Sequence, residues 1–117
     1  MTKKLNYEVG GIIFDFDGTL SELNIDFPEL YREIYELSKK FNADTTKLTQ
    51  VYLIEVIEEI RGLLSDSLGK DFFDAANRIV EEAEVLSAKR ASLFNGTRDL
   101  LRSLREMGIK LGVVTRN

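Results

Sequence analysis

The chain has 117 residues, 44% of them hydrophobic and 31% charged, with a formal net charge of −4. That balance fits one globular domain, or a domain plus a piece of another, and excludes a disordered chain and a basic nucleic-acid surface. Cysteine and histidine are both absent, which excludes disulfide frameworks, thiolate metal sites and the commonest general base and zinc ligand.

Any catalysis must therefore rest on carboxylates, hydroxyls, backbone amides, lysines or arginines. No apolar run approaches the ~20 residues that span a bilayer, so no membrane partner is expected. The opening MTKKLNYEVGG lacks the apolar core of a signal peptide, and the expected location is cytoplasmic. The basic pairs Lys3-Lys4, Lys39-Lys40 and Lys89-Arg90 read as solvated faces.

Taken in chain order, Gly11-Ile12-Ile13-Phe14 runs into Asp15 and Phe16 as a nearly unbroken apolar stretch. Such a run suits a strand buried on both faces, as in parallel sheets. Asp17-Gly18 then signals a turn. Pro28 suits a first helical turn, with Asp26 as its cap, and Leu30, Ile34, Leu37 and Phe41 follow at helical spacing. A second helix is expected over about 46–64, striped by Leu53, Val56, Ile57, Ile60 and Leu64. Gly69 reads as a break. A third helix is expected over about 71–91, striped by Phe72, Ala76, Ile79, Ala83 and Leu86. Three amphipathic helices with short joints read as a small bundle.

Asn95-Gly96-Thr97 matches a glycosylation acceptor, but reads here as a turn and a helix start. Leu100, Leu101, Leu104 and Met107 form the face of that helix, and Gly108 suits the left-handed position after its end. Ile109 to Val114 is a second strand. The order is strand, helical insertion, helix, strand. A parallel crossover unit has this form, and α/β sheets bind ligands at the carboxyl ends of their strands. Asp15, Asp17 and Thr115 all fall at such ends.

The residues at those ends allow a definite chemistry. A carboxylate at a strand tip can act as a nucleophile on phosphorus or carbon. Asp17, two residues on, would lie on the same side of a continued strand, where it could protonate a leaving group and then activate water. Oxygen-only ligation by Asp15 and Asp17 points to Mg²⁺ over zinc. Gly18 lets the backbone pass close to a ligand. Thr19 offers an amide and a hydroxyl, Thr115 a hydroxyl, and Arg116 an amide for an anionic oxygen. That set meets the needs of phosphoryl transfer. A D-x-D pair alone is also what turns and helix caps produce, and a threonine at a strand end usually has no special role.

DFDGTL at Asp15 to Leu20 resembles the first signature motif of the haloacid-dehalogenase superfamily. VVTRN at Val113 to Asn117, after GIKLG, resembles the second. The stretch LFNGTRDLLRSLREMGIKLGVVTRN is similar to the phosphoglycolate-phosphatase-like branch. The resemblance implies an α/β fold: a partial Rossmann-like parallel core at 1–20 and 93–117, with residues 21–92 inserted as an α-helical cap bundle. It implies Asp15 as nucleophile, forming an aspartyl-phosphate, and Asp17 as acid/base. The Asp17 carbonyl would join Asp15 in holding Mg²⁺. Thr115 would bind the transferring phosphoryl group of a small phosphorylated metabolite. An aspartate at position 17 favours phosphate chemistry over dehalogenation.

The family also uses a lysine motif and a further acidic motif, and neither lies within these residues; Lys110 precedes the second strand and is not that lysine. The chain is therefore expected to be the N-terminal half of a phosphatase. It should be weakly active or inactive alone, and prone to self-association through exposed strand edges. Arg61, Lys70 and Lys89 are candidates to meet substrate from the cap, or solvated helix-face charges. Leu23, Ile25 and Phe27 suit a hinge. Two other readings remain: a sugar-phosphate mutase or phosphonate hydrolase of the same superfamily, and a non-catalytic helical interaction module.

Overall fold

The computed structural model describes residues 8–116; Lys3, Lys4, the rest of the first seven residues and Asn117 lie outside the described residues. The fold is mixed α/β. In chain order it runs β1 (Gly11–Asp15), α1 (Phe27–Lys40), α2 (Leu53–Gly62), α3 (Asp66–Arg90), α4 (Thr97–Glu106) and β2 (Lys110–Val114). It divides into two compact units, one holding the residues up to Asn24 and from Arg90 onward, the other Ile25–Lys89.

The first unit is built on a parallel pair. β1 and β2 align with Gly11 opposite Lys110, Ile13 opposite Gly112 and Asp15 opposite Val114. Gly112 lies under the Ile13 side chain, 3.8 Å from where a Cβ would stand. The expectation of a strand buried on both faces is not met among the described residues. Ile12 and Phe14 are half-buried, but Ile13 is 73% exposed. The two strands have only each other as sheet neighbours among the described residues.

α4 differs from its expected face in the same way. Leu101 and Leu104 are half-buried and Thr97 is buried. Leu100 and Met107 are exposed, Met107 at 72%. At about 100° per residue, Leu100 and Met107 fall on the flank of the Thr97–Leu101–Leu104 stripe.

The second unit holds the apolar core: Leu30, Ile34, Leu53, Val56, Ile57, Ile60, Phe72, Ala76 and Val80. α1 begins as its sequence dictates, with the Asp26 carboxylate accepting the Glu29 amide at 3.1 Å and Pro28 in the first turn. Phe41 closes it and meets the Phe72 ring edge-on at 5.7 Å. Full burial of side chains such as Ile34, Ile57, Ile60 and Phe72 stabilises this unit by about 1.5–3 kcal/mol each.

Two helix boundaries differ from expectation. α2 begins at Leu53 rather than near residue 46, so the joint from α1 spans residues 41–52 and is not short. Local hydrogen bonds compete with the helix there. Asp44 accepts the Thr46 amide (3.1 Å) and hydroxyl (2.6 Å), and Glu59 accepts the amides of Thr49 and Gln50, both at 2.9 Å.

Gly69 is not a break: α3 starts at Asp66 and runs through it. Gly69 is there because a Cβ would stand 2.9 Å from the Arg61 carbonyl oxygen; hydrogen is what fits. The buried stripe of α3 then runs through Phe72, Ala76, Val80 and Ser87. The expected Leu86 is exposed, and Ile79 and Ala83 are only half-buried.

Candidate active site at the carboxyl ends of the strands

The site begins with strand direction. Parallel pairing puts the carboxyl ends of β1 and β2 on one edge. Because Asp15 faces Val114, Thr115 and Arg116 leave β2 on the edge where Asp15, Phe16 and Asp17 leave β1. Residues far apart in sequence are thereby collected at one end of the sheet, where α/β folds bind ligands.

β1 stops at Asp15, so Asp17 does not continue its pleat. Residues 16–21 form a tight loop. The Phe16 carbonyl accepts the amides of Thr19 (3.2 Å), Leu20 (3.0 Å) and Ser21 (3.2 Å), and the Gly18 amide donates to the Ser21 carbonyl at 2.8 Å. Gly18 takes φ +77°, which a side chain would resist. The amides of Gly18 and Thr19 are thus engaged within the loop, and what Thr19 presents outward is its hydroxyl. Asp15 is exposed and Asp17 half-buried. One Asp15 carboxylate oxygen accepts the Phe16 amide at 2.8 Å, which orients it at the strand tip.

The loop is tied to the segment entering α4, a connection that spacing in the sequence does not reveal. Ser21 is 2% exposed; its hydroxyl donates to the Ser92 carbonyl at 3.1 Å. Glu22 donates its amide to the same carbonyl at 2.9 Å, and the Ser92 hydroxyl donates to the Glu22 carboxylate at 3.2 Å. The Leu20 carbonyl accepts the Phe94 amide at 3.1 Å and the Thr97 hydroxyl at 3.0 Å. These residues pair across some seventy positions; the single clue is a run of small hydroxyl residues beside both glycine turns.

The donors at this edge are all oxygen, as Mg²⁺ requires. Among the described residues no group of three or more acidic, histidine or cysteine side chains is gathered for a metal. Asp15 and Asp17 are the two carboxylates that this edge brings near one another in sequence.

The three cationic candidates, Arg61, Lys70 and Lys89, all lie on the helical unit, and Arg61 and Lys70 have partners there. The Arg61 guanidinium lies over the Phe73 ring at 4.5 Å, with Glu58 at 3.9 Å. Lys70 pairs with Asp74 at 2.9 Å, one turn along the same helix. Among the described residues no helix is long and apolar enough to cross a membrane.

A parallel strand–helix–strand core with two carboxylates at its strand end points to a Rossmann-like hydrolase. The family model for haloacid dehalogenase-like hydrolases matches residues 12–117, and the chain belongs to that family. It is similar to a haloacid dehalogenase-like hydrolase domain-containing protein of Arabidopsis thaliana, at 27% identity over 119 aligned positions. The alignment takes in 100% of this chain and 44% of that relative, so the chain spans less than half the length of the curated relative it matches. No solved structure matches it.

Proposed function

We propose that this chain carries the nucleophile and the acid/base of a phosphomonoesterase acting on a small phosphorylated metabolite. The observation that carries the reading is the collection of Asp15, Asp17 and Thr115 at one end of a parallel strand pair. In the proposed reaction an Asp15 carboxylate oxygen attacks phosphorus and the ester P–O bond breaks. Asp17, protonated, gives its proton to the leaving alkoxide. Asp17 then takes a proton from water as that water attacks phosphorus. The Asp15–phosphorus bond breaks, releasing inorganic phosphate and restoring both carboxyl groups. The Thr115 hydroxyl is assigned to a phosphoryl oxygen, as are Thr19 through its hydroxyl and Arg116 through its amide.

Mg²⁺ held by Asp15 and the Asp17 carbonyl would supply charge neutralisation for the phosphoryl oxygens. The helical unit is proposed as the cap that selects substrate, and the cytoplasm as the working compartment. Phosphoglycolate is the first substrate to try, because Leu93 to Asn117 resembles that branch.

The test is phosphate release from phosphoglycolate and p-nitrophenyl phosphate, with and without Mg²⁺. The protein used is the longest natural chain containing this sequence, alongside its Asp15→Asn variant. Wild-type turnover in the variant would end the proposal.

A second reading has one observation in its favour. The apolar core lies almost wholly in the helical unit, as a helical interaction module would need. Mg²⁺-dependent turnover lost in Asp15→Asn separates the two.

A further inference from the structure

Thr97 is the first residue of α4, preceded by Gly96, which has no side chain to cap the helix. A threonine one position earlier, at the N-cap, would spend its hydroxyl on the helix end. Here the hydroxyl points away from the helix and donates to the carbonyl of Leu20, 77 positions earlier, at 3.0 Å. Both groups are withdrawn from water: Thr97 is 6% exposed and Leu20 4%. The same carbonyl takes the Phe94 amide at 3.1 Å, so both its lone pairs are used. Leu20 is in turn the residue whose amide donates to Phe16 at 3.0 Å, closing the loop that carries Asp17, Gly18 and Thr19. The chain of bonds runs from α4, through Leu20, to the residues immediately after Asp15.

We infer that Thr97 is a positioning residue whose buried hydroxyl locks the Asp17-bearing loop against the start of α4. It acts through the Leu20 carbonyl and touches no reacting atom. Among the described residues, the loop's other buried side-chain tie across this seam is Ser21 to Ser92, while the Phe94 amide holds the Leu20 carbonyl from the backbone. With the Thr97 bond made, Leu20 is fixed from two directions. Its consequence for catalysis rests on the phosphatase reading; the lock itself does not.

The experiment compares wild type, Thr97→Val, which keeps the shape and removes the hydroxyl, and Thr97→Ser, which keeps the hydroxyl. Amide hydrogen exchange is followed by NMR on the 117-residue chain, and turnover on the longest natural chain containing it. In Thr97→Val the amides of Gly18, Leu20 and Ser21 should exchange about tenfold faster, the loss of one hydrogen bond. Those of the β1–β2 ladder should move less. Thr97→Ser should restore wild-type exchange.

In the longer chain Thr97→Val should lower kcat with KM unchanged, because substrate binding is intact while the acid/base is misplaced. Unchanged loop exchange in Thr97→Val, or an equal rise across the whole unit, overturns the lock. If Thr97→Val fails to fold, failure of Thr97→Ser to protect the loop overturns it equally. Absence of turnover in wild type counts against the phosphatase reading, and the exchange rates alone then decide whether the lock exists.

Discussion

Asp15 lies directly opposite Val114 in the parallel ladder, so the residue after Val114, Thr115, leaves the sheet at the level where Asp15 ends its strand. One register thus decides which hydroxyl accompanies the candidate nucleophile. A shift by one residue would put the neighbour's other face beside Asp15. On the proposed mechanism the two aspartates should fail differently. Asp15→Asn removes the nucleophile and should cost at least about a thousandfold in turnover. Asp17→Asn keeps it and should cost about 10²–10⁴-fold, the usual worth of general acid–base help. Steady-state phosphate release from the longest natural chain measures both. Equal, small losses would argue against these roles.

Gly69 offers a stability test whose sign is not obvious from sequence. Glycine inside an exposed helix gives up about 1 kcal/mol against alanine, so Gly69→Ala would ordinarily stabilise. At this site the new Cβ would stand 2.9 Å from a backbone oxygen, that of Arg61, which has no flexible end to swing aside. Overpacking of this kind costs about 1–3 kcal/mol, so we expect a net loss of up to about 2 kcal/mol. Urea unfolding followed by circular dichroism reads it; a stabilised variant would show that the helices separate freely.

The same glycine shows where sequence reading stops. Helix identity was legible wherever apolar spacing and a cap agreed, as at Asp26, Pro28, Leu30 and Ile34. The strand–helix–strand order and the strand-end aspartates were legible too, because Asp15-Phe16-Asp17-Gly18 joins a strand pattern to a turn pattern. Gly69 was not: a glycine required by a neighbouring backbone looks in sequence like a glycine that ends a helix. The late start of α2 was hidden because its cause is the Glu59 carboxylate, ten residues from Thr49. The bond from Thr97 to the Leu20 carbonyl was hidden for the same reason on a longer scale.

The uncovered side of the strand pair leads to an association test. Ile13 and Val114 share one face and are 73% and 62% exposed, and the described strands pair only with each other. Open edges beside an apolar face invite pairing, and for the 117-residue chain we propose a second copy as the occupant. Sedimentation velocity should show mass rising with concentration, and Ile13→Lys should return it to the monomer. A monomeric wild type at high concentration would refute this.

The Glu59 carboxylate accepts the Gln50 amide at 2.9 Å and the Thr49 amide at 2.9 and 3.1 Å, and the Thr49 hydroxyl at 2.9 Å. The Gln50 and Thr49 amides, in that order, hold its pKa below the usual 4.5, outweighing the cost of burial, with a lesser contribution from the Thr49 hydroxyl. A carboxyl whose folded pKa is depressed stabilises the fold above its unfolded value, and that stabilisation is lost as pH falls through the folded value. The joint before α2 should therefore be clamped at neutral pH and released below about pH 4.5, while the rest of the helical core persists. The Thr49 and Gln50 amide protons, which point at the carboxylate, should titrate together with a midpoint under 4.5 and move upfield as the clamp opens. In Glu59→Gln that titration should vanish, because the amide side chain carries no charge to lose over the same range. A midpoint at or above the ordinary glutamate value would mean that the carboxylate is solvated and that the joint is held by something else, with the Tyr31 hydroxyl on the Val51 carbonyl the next tie to remove.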